Sequence, residues 1–365
     1  MYDLIVIGGG PAGTSAAISA ARRGERVMLL ERGRFPRHKV CGEFVSAESL
    51  GLLTALLDSE HGALLCDAVR IPQARLYVDG HILKTAVDPP AASIARLDLD
   101  VALWRSAESA GVDGRQQVTV QNVAGTGPFQ ALTTAGEFES CALINASGRW
   151  SNLNPVPADN GMVREKWLGV KGHFVEQDPE ASVDLYFFDG GYCGVQPVNL
   201  NGENSNHGRV NASAMVRADV ASSLSEVFAR HPNLRARSRK WQPLSDPVST
   251  SPLIFRTPQP ERNHVLMAGD AVAFVDPFVG DGISLALRSG SLAAECLVPF
   301  FRGEKSLPDA ARAYGEAYEQ RLAAVFRASS RIRRMLLLPR GVRKPLLSVL
   351  ASAPAITQYL VRKTR

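Results

Sequence analysis

The chain opens on a strand–turn–helix–strand unit that leaves few folds open. Residues 3–7 (DLIVI) form a short apolar run of the kind found in buried parallel strands. GGGPAG follows, a G-x-G-x-x-G with Gly8, Gly10 and Gly13, and then the small-residue helix TSAAISAARRG, closed by Gly24. A second apolar strand, RVMLLE, ends on Glu31. Each part has a physical role. Gly8 permits the tight turn, Gly10 lets backbone approach a pyrophosphate, and Gly13 lets helix and strand pack closely. The helix N-terminus turns free N–H groups and its positive dipole end toward phosphate. Strand, turn, helix, second strand and terminal acid occur in order, which is the context a dinucleotide-binding unit requires.

Glu31 is placed to accept from ribose hydroxyls, and its charge disfavours a 2′-phosphate, so FAD or NAD remain open at this point. A second motif separates them. HVLMAGDAVAFVDPFVGDGISLALRSGSLAAECL, residues 264–297, reads as a buried strand ending at Gly269-Asp270, a loop with Pro277, Gly280 and Gly282, and a helix. Two glycine-rich loops facing helix N-termini from opposite ends of the chain suit a large flavin cofactor. A simple NAD site is completed locally.

IVIGGGPAG with Glu31, RHKVCGE (37–43), Arg96 before a helix, and AGDAVAFVDPFVGDGI (268–283) together resemble the FAD-dependent oxidoreductases of the para-hydroxybenzoate hydroxylase-like fold. The resemblance is strongest to the branch with geranylgeranyl reductases, flavin-dependent halogenases and aromatic monooxygenases. It implies an α/β protein with a Rossmann-like FAD-binding domain of the GR2 type, assembled from residues 1–150 and 259–330. A mostly β substrate domain would be inserted at 151–258, with a basic helical extension at 331–365. It further implies that Gly8, Gly10, Pro11, Ala12 and Gly13 hold the pyrophosphate, and Glu31 and Arg32 the adenosine side. Arg37, Cys41 and Gly42 would run along a tightly but non-covalently bound FAD, with Arg96 near its phosphates. Gly269 and Asp270 would meet the ribityl or pyrophosphate segment, and Pro277, Gly280, Gly282 and Ile283 the isoalloxazine. Cys41 and Pro277 are also candidates for the catalytic surroundings of the flavin. Cys41 equally suits a small packing position, and Arg96 a surface ion pair.

Departures from the family pattern narrow the chemistry. Ser147-Gly148 stands where an Asp-Gly pair is common, and Ala273 where aromatic hydroxylases place His. The halogenase Trp-x-Trp stretch is matched by GGYCGVQPV (190–198), which has no Trp, so halogenation becomes a minor reading. His173, Tyr186, Phe188, Tyr192 and Gln196 alternate along strand-like segments. Tyr192 and Gln196 are taken as candidate catalytic-pocket residues. The leading reading is a monooxygenase that hydroxylates a hydrophobic polyketide, phenolic or lipid-like molecule through a flavin C4a-hydroperoxide. A C=C reductase of the geranylgeranyl reductase type follows closely. A non-catalytic lipid-escort protein is opposed by the intact flavin motifs. A second Rossmann unit is not visible, so NAD(P)H visits transiently or a separate reductase supplies electrons.

Charge and cysteine usage bound the setting. Lys and Arg number 41 against 36 Asp and Glu, a net +5. Nine of those cations lie in 331–365, which holds no acid, so 32 cations face 36 acids in residues 1–330, a net −4. The tail interleaves Arg with Leu, which suits either peripheral contact with an anionic membrane or short helices packed on the body. Nucleic acid is not expected, since aromatic interleaving and a known binding fold are lacking. The five cysteines form no CxxC and the histidines no HExxH, so neither disulfides nor a metal are expected. With no signal peptide and no apolar run judged long enough to span a bilayer, the expected location is cytoplasmic, with membrane association at the cytoplasmic face as the variant.

Overall fold

The computed structural model describes residues 1–149, 153, 166–200, 208–253, 255–336 and 341. In chain order the elements begin with β1 (Tyr2–Ile7), α1 (Pro11–Ala21), β2 (Val27–Glu31), β3 (Phe44–Val45), α2 (Leu50–Leu56) and α3 (Ala63–Cys66). They continue with β4 (Val69–Val78), β5 (His81–Ser93), α4 (Arg96–Ser109), β6 (Asp113–Gln116), β7 (Val120–Ala124), β8 (Phe129–Thr133) and β9 (Gly136–Asn145). The middle of the chain supplies β10 (Trp167–Val175), β11 (Ser182–Phe188), β12 (Gly191–Pro197), β13 (Arg209–Arg217), α5 (Leu224–Ala229) and α6 (Pro232–Arg237). Last come β14 (Gln242–Pro243), β15 (Val248–Thr250), β16 (Glu261–Arg262), β17 (Val265–Met267), α7 (Gly282–Phe301), α8 (Leu307–Arg321) and α9 (Ala323–Leu336).

The first sheet runs β16-β17-β9-β1-β2-β6, with β7 and β8 hanging from β9. Its centre is parallel: β1 pairs with β2 from Leu4↔Val27 to Ile7↔Leu30, and with β9 from Tyr2↔Ser140 to Ile7↔Asn145. Both faces of such strands are covered, which is why DLIVI and VMLLE are continuously apolar rather than alternating. α1 is buried along almost its whole length because its small side chains let neighbours close on it. α7 is the chief of these neighbours: Ser15 donates to the Leu287 carbonyl at 2.7 Å, and a Cβ on Gly290 would stand 2.0 Å from the Ala12 carbonyl oxygen. The two ends of the chain are thus locked together beneath the crevice.

Among the described residues one helix, α7, is long and apolar enough by length and composition to cross a bilayer, although Arg288 and Glu295 interrupt its apolar run. Here its apolar side is core: Leu285, Leu287, Leu292, Ala293 and Leu297 are buried.

The second sheet has nine strands in the order β14-β10-β13-β12-β11-β4-β5-β3, with β15 also on β10. It corrects the expected boundary of 151–258. β4 and β5 from the first third of the chain complete it, because β11 pairs in parallel with β4 from Ser182↔Gln73 to Tyr186↔Tyr77. The helix expected after Arg96 begins at Arg96 itself and ends at Ser109, and Asp113 already belongs to β6. The extension expected from 331 starts inside α9, whose Val325 and Phe326 are core. Apart from 331–336 and Gly341, the basic tail lies outside the described residues.

Candidate active site

One cavity of about 720 Å³ runs from the first sheet's glycine-rich turn to the face of the second sheet. That is the size of a small-molecule site. Its walls bring together every expected site residue except Gly13: Gly8, Gly10, Pro11, Ala12, Glu31, Arg32, Arg37, Cys41, Gly42, Arg96, Gly269, Asp270, Pro277, Gly280, Gly282 and Ile283, with Tyr192 and Gln196 on the far side. Gly13 serves behind the wall, where a Cβ would meet the Gly8 carbonyl oxygen at 1.7 Å.

The dinucleotide end is built from backbone. Gly8 turns out of β1 at φ +107°, and a side chain there would strike Ala146. Gly10 caps α1 with no side-chain hydrogen bond, so the first-turn N–H groups remain for a ligand. A Cβ on Gly10 would find only the Arg96 guanidinium, at 3.9 Å. Arg96 is held in a bidentate pair with buried Asp100 at 2.7 and 2.8 Å, while its backbone N–H donates to Glu43 at 2.8 Å. The ion pair is therefore internal and fixes the guanidinium at the crevice.

Glu31 is buried and already engaged. It accepts from the Gly9 N–H at 2.9 Å and the Gly33 N–H at 2.7 Å, and pairs with Arg37 at 2.9 Å. The acid therefore shapes the turn as well as facing the cavity. Arg32 lines the same end.

Lys39, not singled out from the sequence, also lines the wall. Burial, and then the nearby charges of Arg37 and Arg96, bring its pKa down to about 8. Crowded cations at a glycine-rich turn are what an anionic pyrophosphate relieves. Arg37 Nε is buried with no hydrogen-bond partner among the described residues, a donor of the kind a cofactor oxygen satisfies. On these observations the residues fit the dinucleotide part of FAD. No group of metal-ligating side chains occurs among the described residues.

The loop that follows β17 forms the middle of the cavity. Gly269 adopts φ +61° and donates its N–H to Ser289 at 2.9 Å. Asp270 stands 3.6 Å from Arg149, which lies over the Phe274 ring at 4.2 Å. Gly280 has φ +75°, and a Cβ there would press on the Phe44 ring at 3.0 Å. Asp281, buried behind this loop, accepts from Ser46 at 2.8 Å, and burial lifts its pKa to about 6.

Across from this loop the second sheet presents an apolar chamber, lined by Leu76, Val78, Val183, Leu185, Phe187, Tyr192 and Met215. The antiparallel register Leu185↔Gly194 and Phe187↔Tyr192 puts those residues on one face. Tyr186 and Phe188 therefore face away, contrary to the alternation read from the sequence. Tyr186 stacks on Tyr77 at 4.5 Å and accepts from Arg237 at 3.2 Å. His173 is also outside the chamber, bonded to Glu43 at 2.8 Å. Gln196 donates to Ser93 at 2.6 Å, which ties β12 to the end of β5. Tyr192 donates to the buried carboxylate of Asp276 at 3.3 Å.

Cys41 occupies the seam between the two compartments. Its sulfur accepts from the Glu43 N–H at 3.3 Å and its carbonyl from Asn211 at 3.0 Å. Two residues on, Glu43 holds a left-handed φ of +61° and lies fully buried with Lys171 and His173. Burial pushes its carboxyl up, but Lys171 and His173 more than offset this and hold it at about 2. The RHKVCGE loop is thereby pinned to β10. A sequence offers the motif but not the two partners, which lie some 130 positions away.

Comparison with known proteins agrees with this geometry. Residues 3–36 match the family model described as FAD dependent oxidoreductase. Menaquinone reductase of Mycobacterium tuberculosis is 29% identical over 93% of this chain and 85% of its own length. Digeranylgeranylglycerophospholipid reductase 2 of Methanopyrus kandleri is 24% identical over 89% of this chain and 84% of its own. An FAD-dependent monooxygenase of Beauveria bassiana is 24% identical over 93% and 86% respectively. Among solved structures, a geranylgeranyl bacteriochlorophyll reductase-like protein of Thermoplasma acidophilum superposes with TM-score 0.77 at 18% identity, over 100% of this chain and 95% of that one. A flavin-dependent brominase does so with TM-score 0.76 at 20% identity, over 100% and 93%.

Proposed function

We propose that this chain is an FAD-dependent oxidoreductase that reduces a carbon–carbon double bond in a hydrophobic, lipid-like substrate. The observation that carries this reading is the continuity of the cavity: the glycine-rich crevice and the apolar chamber are one space. When bound, FAD supplies the two-electron chemistry. The chain's own residues then bind, orient and exclude water. Gly8, Gly10, Arg37, Lys39 and Arg96 hold the phosphates, and the 277–283 loop brings backbone to the ring system. Leu76, Val183, Leu185, Phe187 and Met215 shelter an apolar chain. The two reductases of similar length, one named for menaquinone and one for a geranylgeranyl lipid, support a substrate of this kind.

Oxygen transfer, the reading placed first on sequence, is the second reading, supported by the monooxygenase likeness and by the same water-excluding chamber. Reduction takes precedence because the menaquinone reductase is the more identical relative, 29% against 24% for the monooxygenase, and Tyr192 with Asp276 suits the proton delivery it needs. Electrons for either reaction come from a nicotinamide visiting from solvent or from a partner reductase. The basic tail, six of whose nine cations follow residue 336, suits contact with the anionic membrane in which such a substrate resides.

The test is turnover of a polyprenyl lipid by the FAD-loaded protein with its flavin photoreduced, with and without oxygen. Product heavier by two hydrogens under anaerobic conditions is expected. Product carrying an added oxygen atom, formed only in air, would replace this reading with the second.

A further inference from the structure

We propose that Tyr192 is the proton donor to the substrate carbon and that Asp276, behind it, returns the proton to its hydroxyl. This rests on the reductive reading above and assigns that reaction's acid. Tyr192 lies on β12 and lines the chamber, while Asp276 immediately precedes the Pro277–Val279 turn of the cavity loop. The hydroxyl and Asp276 Oδ1 are 3.3 Å apart, and the same oxygen accepts the Phe278 N–H at 3.5 Å. Asp276 is buried, and its second oxygen has no hydrogen-bond partner among the described residues. A carboxylate left in that state is costly, and a neutral carboxyl is not. The rings of Phe187 and Phe278, at 5.5 and 5.9 Å from that of Tyr192, pack about its side chain and hold it in place.

Among the described residues, burial of the Asp276 carboxyl is opposed by the charge of Arg333 on α9, the backbone N–H of Phe278 and the hydroxyl of Tyr192 on β12. All three favour the charged form, but burial outweighs them and lifts the carboxyl to about 7. Burial, then Asp276, raises the Tyr192 hydroxyl well above its ordinary value, so the phenol keeps its proton. An acid poised near neutrality behind a phenol that stays protonated suits general-acid catalysis. Reduced FAD, held at the crevice, would supply a hydride with its electron pair to one alkene carbon as the π bond breaks. The other carbon takes the proton of Tyr192. The tyrosinate recovers a proton from Asp276, which is reprotonated from solvent, and the flavin is left oxidised.

The experiment compares wild-type, Tyr192→Phe and Asp276→Asn proteins, all loaded with FAD. Without substrate, infrared difference titration of the wild type is expected to show a buried carboxylic acid ionising near pH 7. That signal is absent in Asp276→Asn and moves to higher pH in Tyr192→Phe, which lacks the hydrogen bond to the carboxylate. With a polyprenyl lipid, Tyr192→Phe is expected to lower alkene reduction about 100-fold or more, with photoreduction of the flavin unchanged. Asp276→Asn removes the fall in rate above pH 7. Wild-type alkene reduction that survives in Tyr192→Phe within twofold overturns the proposal alone, as does a missing infrared signal. A wild type that reduces no alkene removes the reductive reading, and the proposal falls with it.

Discussion

Gly10 and Gly13 stand three positions apart and answer to different constraints. A methyl group on Gly13 would meet backbone at 1.7 Å, whereas one on Gly10 would enter the open crevice with its nearest neighbour at 3.9 Å. Gly13→Ala is therefore expected to lower the Tm of the FAD-free protein, by a loss of about 1–3 kcal/mol typical of overpacking. Gly10→Ala should leave that Tm unchanged and weaken FAD binding instead. Calorimetry with flavin fluorescence titration separates the two effects; equal losses of Tm would contradict the assignment. Both glycines were legible in the sequence because the spacing of the turn encodes them. Glu43 was legible only as a letter in a motif. Its pairing with Lys171 and His173 depends on the sheet that brings β10 to the loop. With the folded carboxyl at about 2 against an ordinary 4.5, the unfolded state binds the proton more readily. The stabilisation is full above pH 4.5 and disappears as pH falls toward 2. Glu43→Gln, which leaves Lys171 uncompensated, is expected to cost about 3–5 kcal/mol at pH 7, with the deficit shrinking below pH 4. A denaturant series at both pH values checks it, and a deficit independent of pH would contradict it.

At the scale of elements, α7 is the part whose packing decides whether the crevice forms. Gly290 lets it rest on α1, with the Ala12 carbonyl where a side chain would stand. Gly290→Val is expected to force the helices apart, lowering both Tm and FAD affinity, because Ala12 itself lines the cavity. Retention of full FAD affinity in that variant would show that α7 does not set the crevice. The strands of the second sheet were largely readable from alternation, yet the chamber-facing side was not. Period-two patterning gives two faces, and only the pairing of β11 with β12 selects Leu185 and Phe187 over Tyr186 and Phe188. The contribution of β4 and β5 was hidden for a related reason. A parallel pairing across more than a hundred residues leaves no local mark in the chain.

For the whole molecule, the division of charge separates an acidic-leaning body from a basic tail. Each basic residue near an anionic membrane surface adds about 1 kcal/mol, so removing residues 337–365, with six cations, is expected to abolish sedimentation with phosphatidylglycerol vesicles. FAD binding should survive. Unchanged vesicle binding would contradict the tail's role. The cofactor half of the site was readable because glycine spacing and charge are written locally. The substrate half was not, because its walls are ordinary apolar strands whose meaning lies in their assembly. The most direct test of that assembly is anaerobic stopped-flow mixing of the photoreduced, FAD-loaded protein with a polyprenyl lipid, in the wild type and in Gly194→Phe, which fills the chamber floor. Rapid flavin reoxidation without oxygen is expected in the wild type, and its loss in the variant, with FAD still bound. A wild-type flavin that stays reduced until oxygen is admitted would contradict the reductive reading.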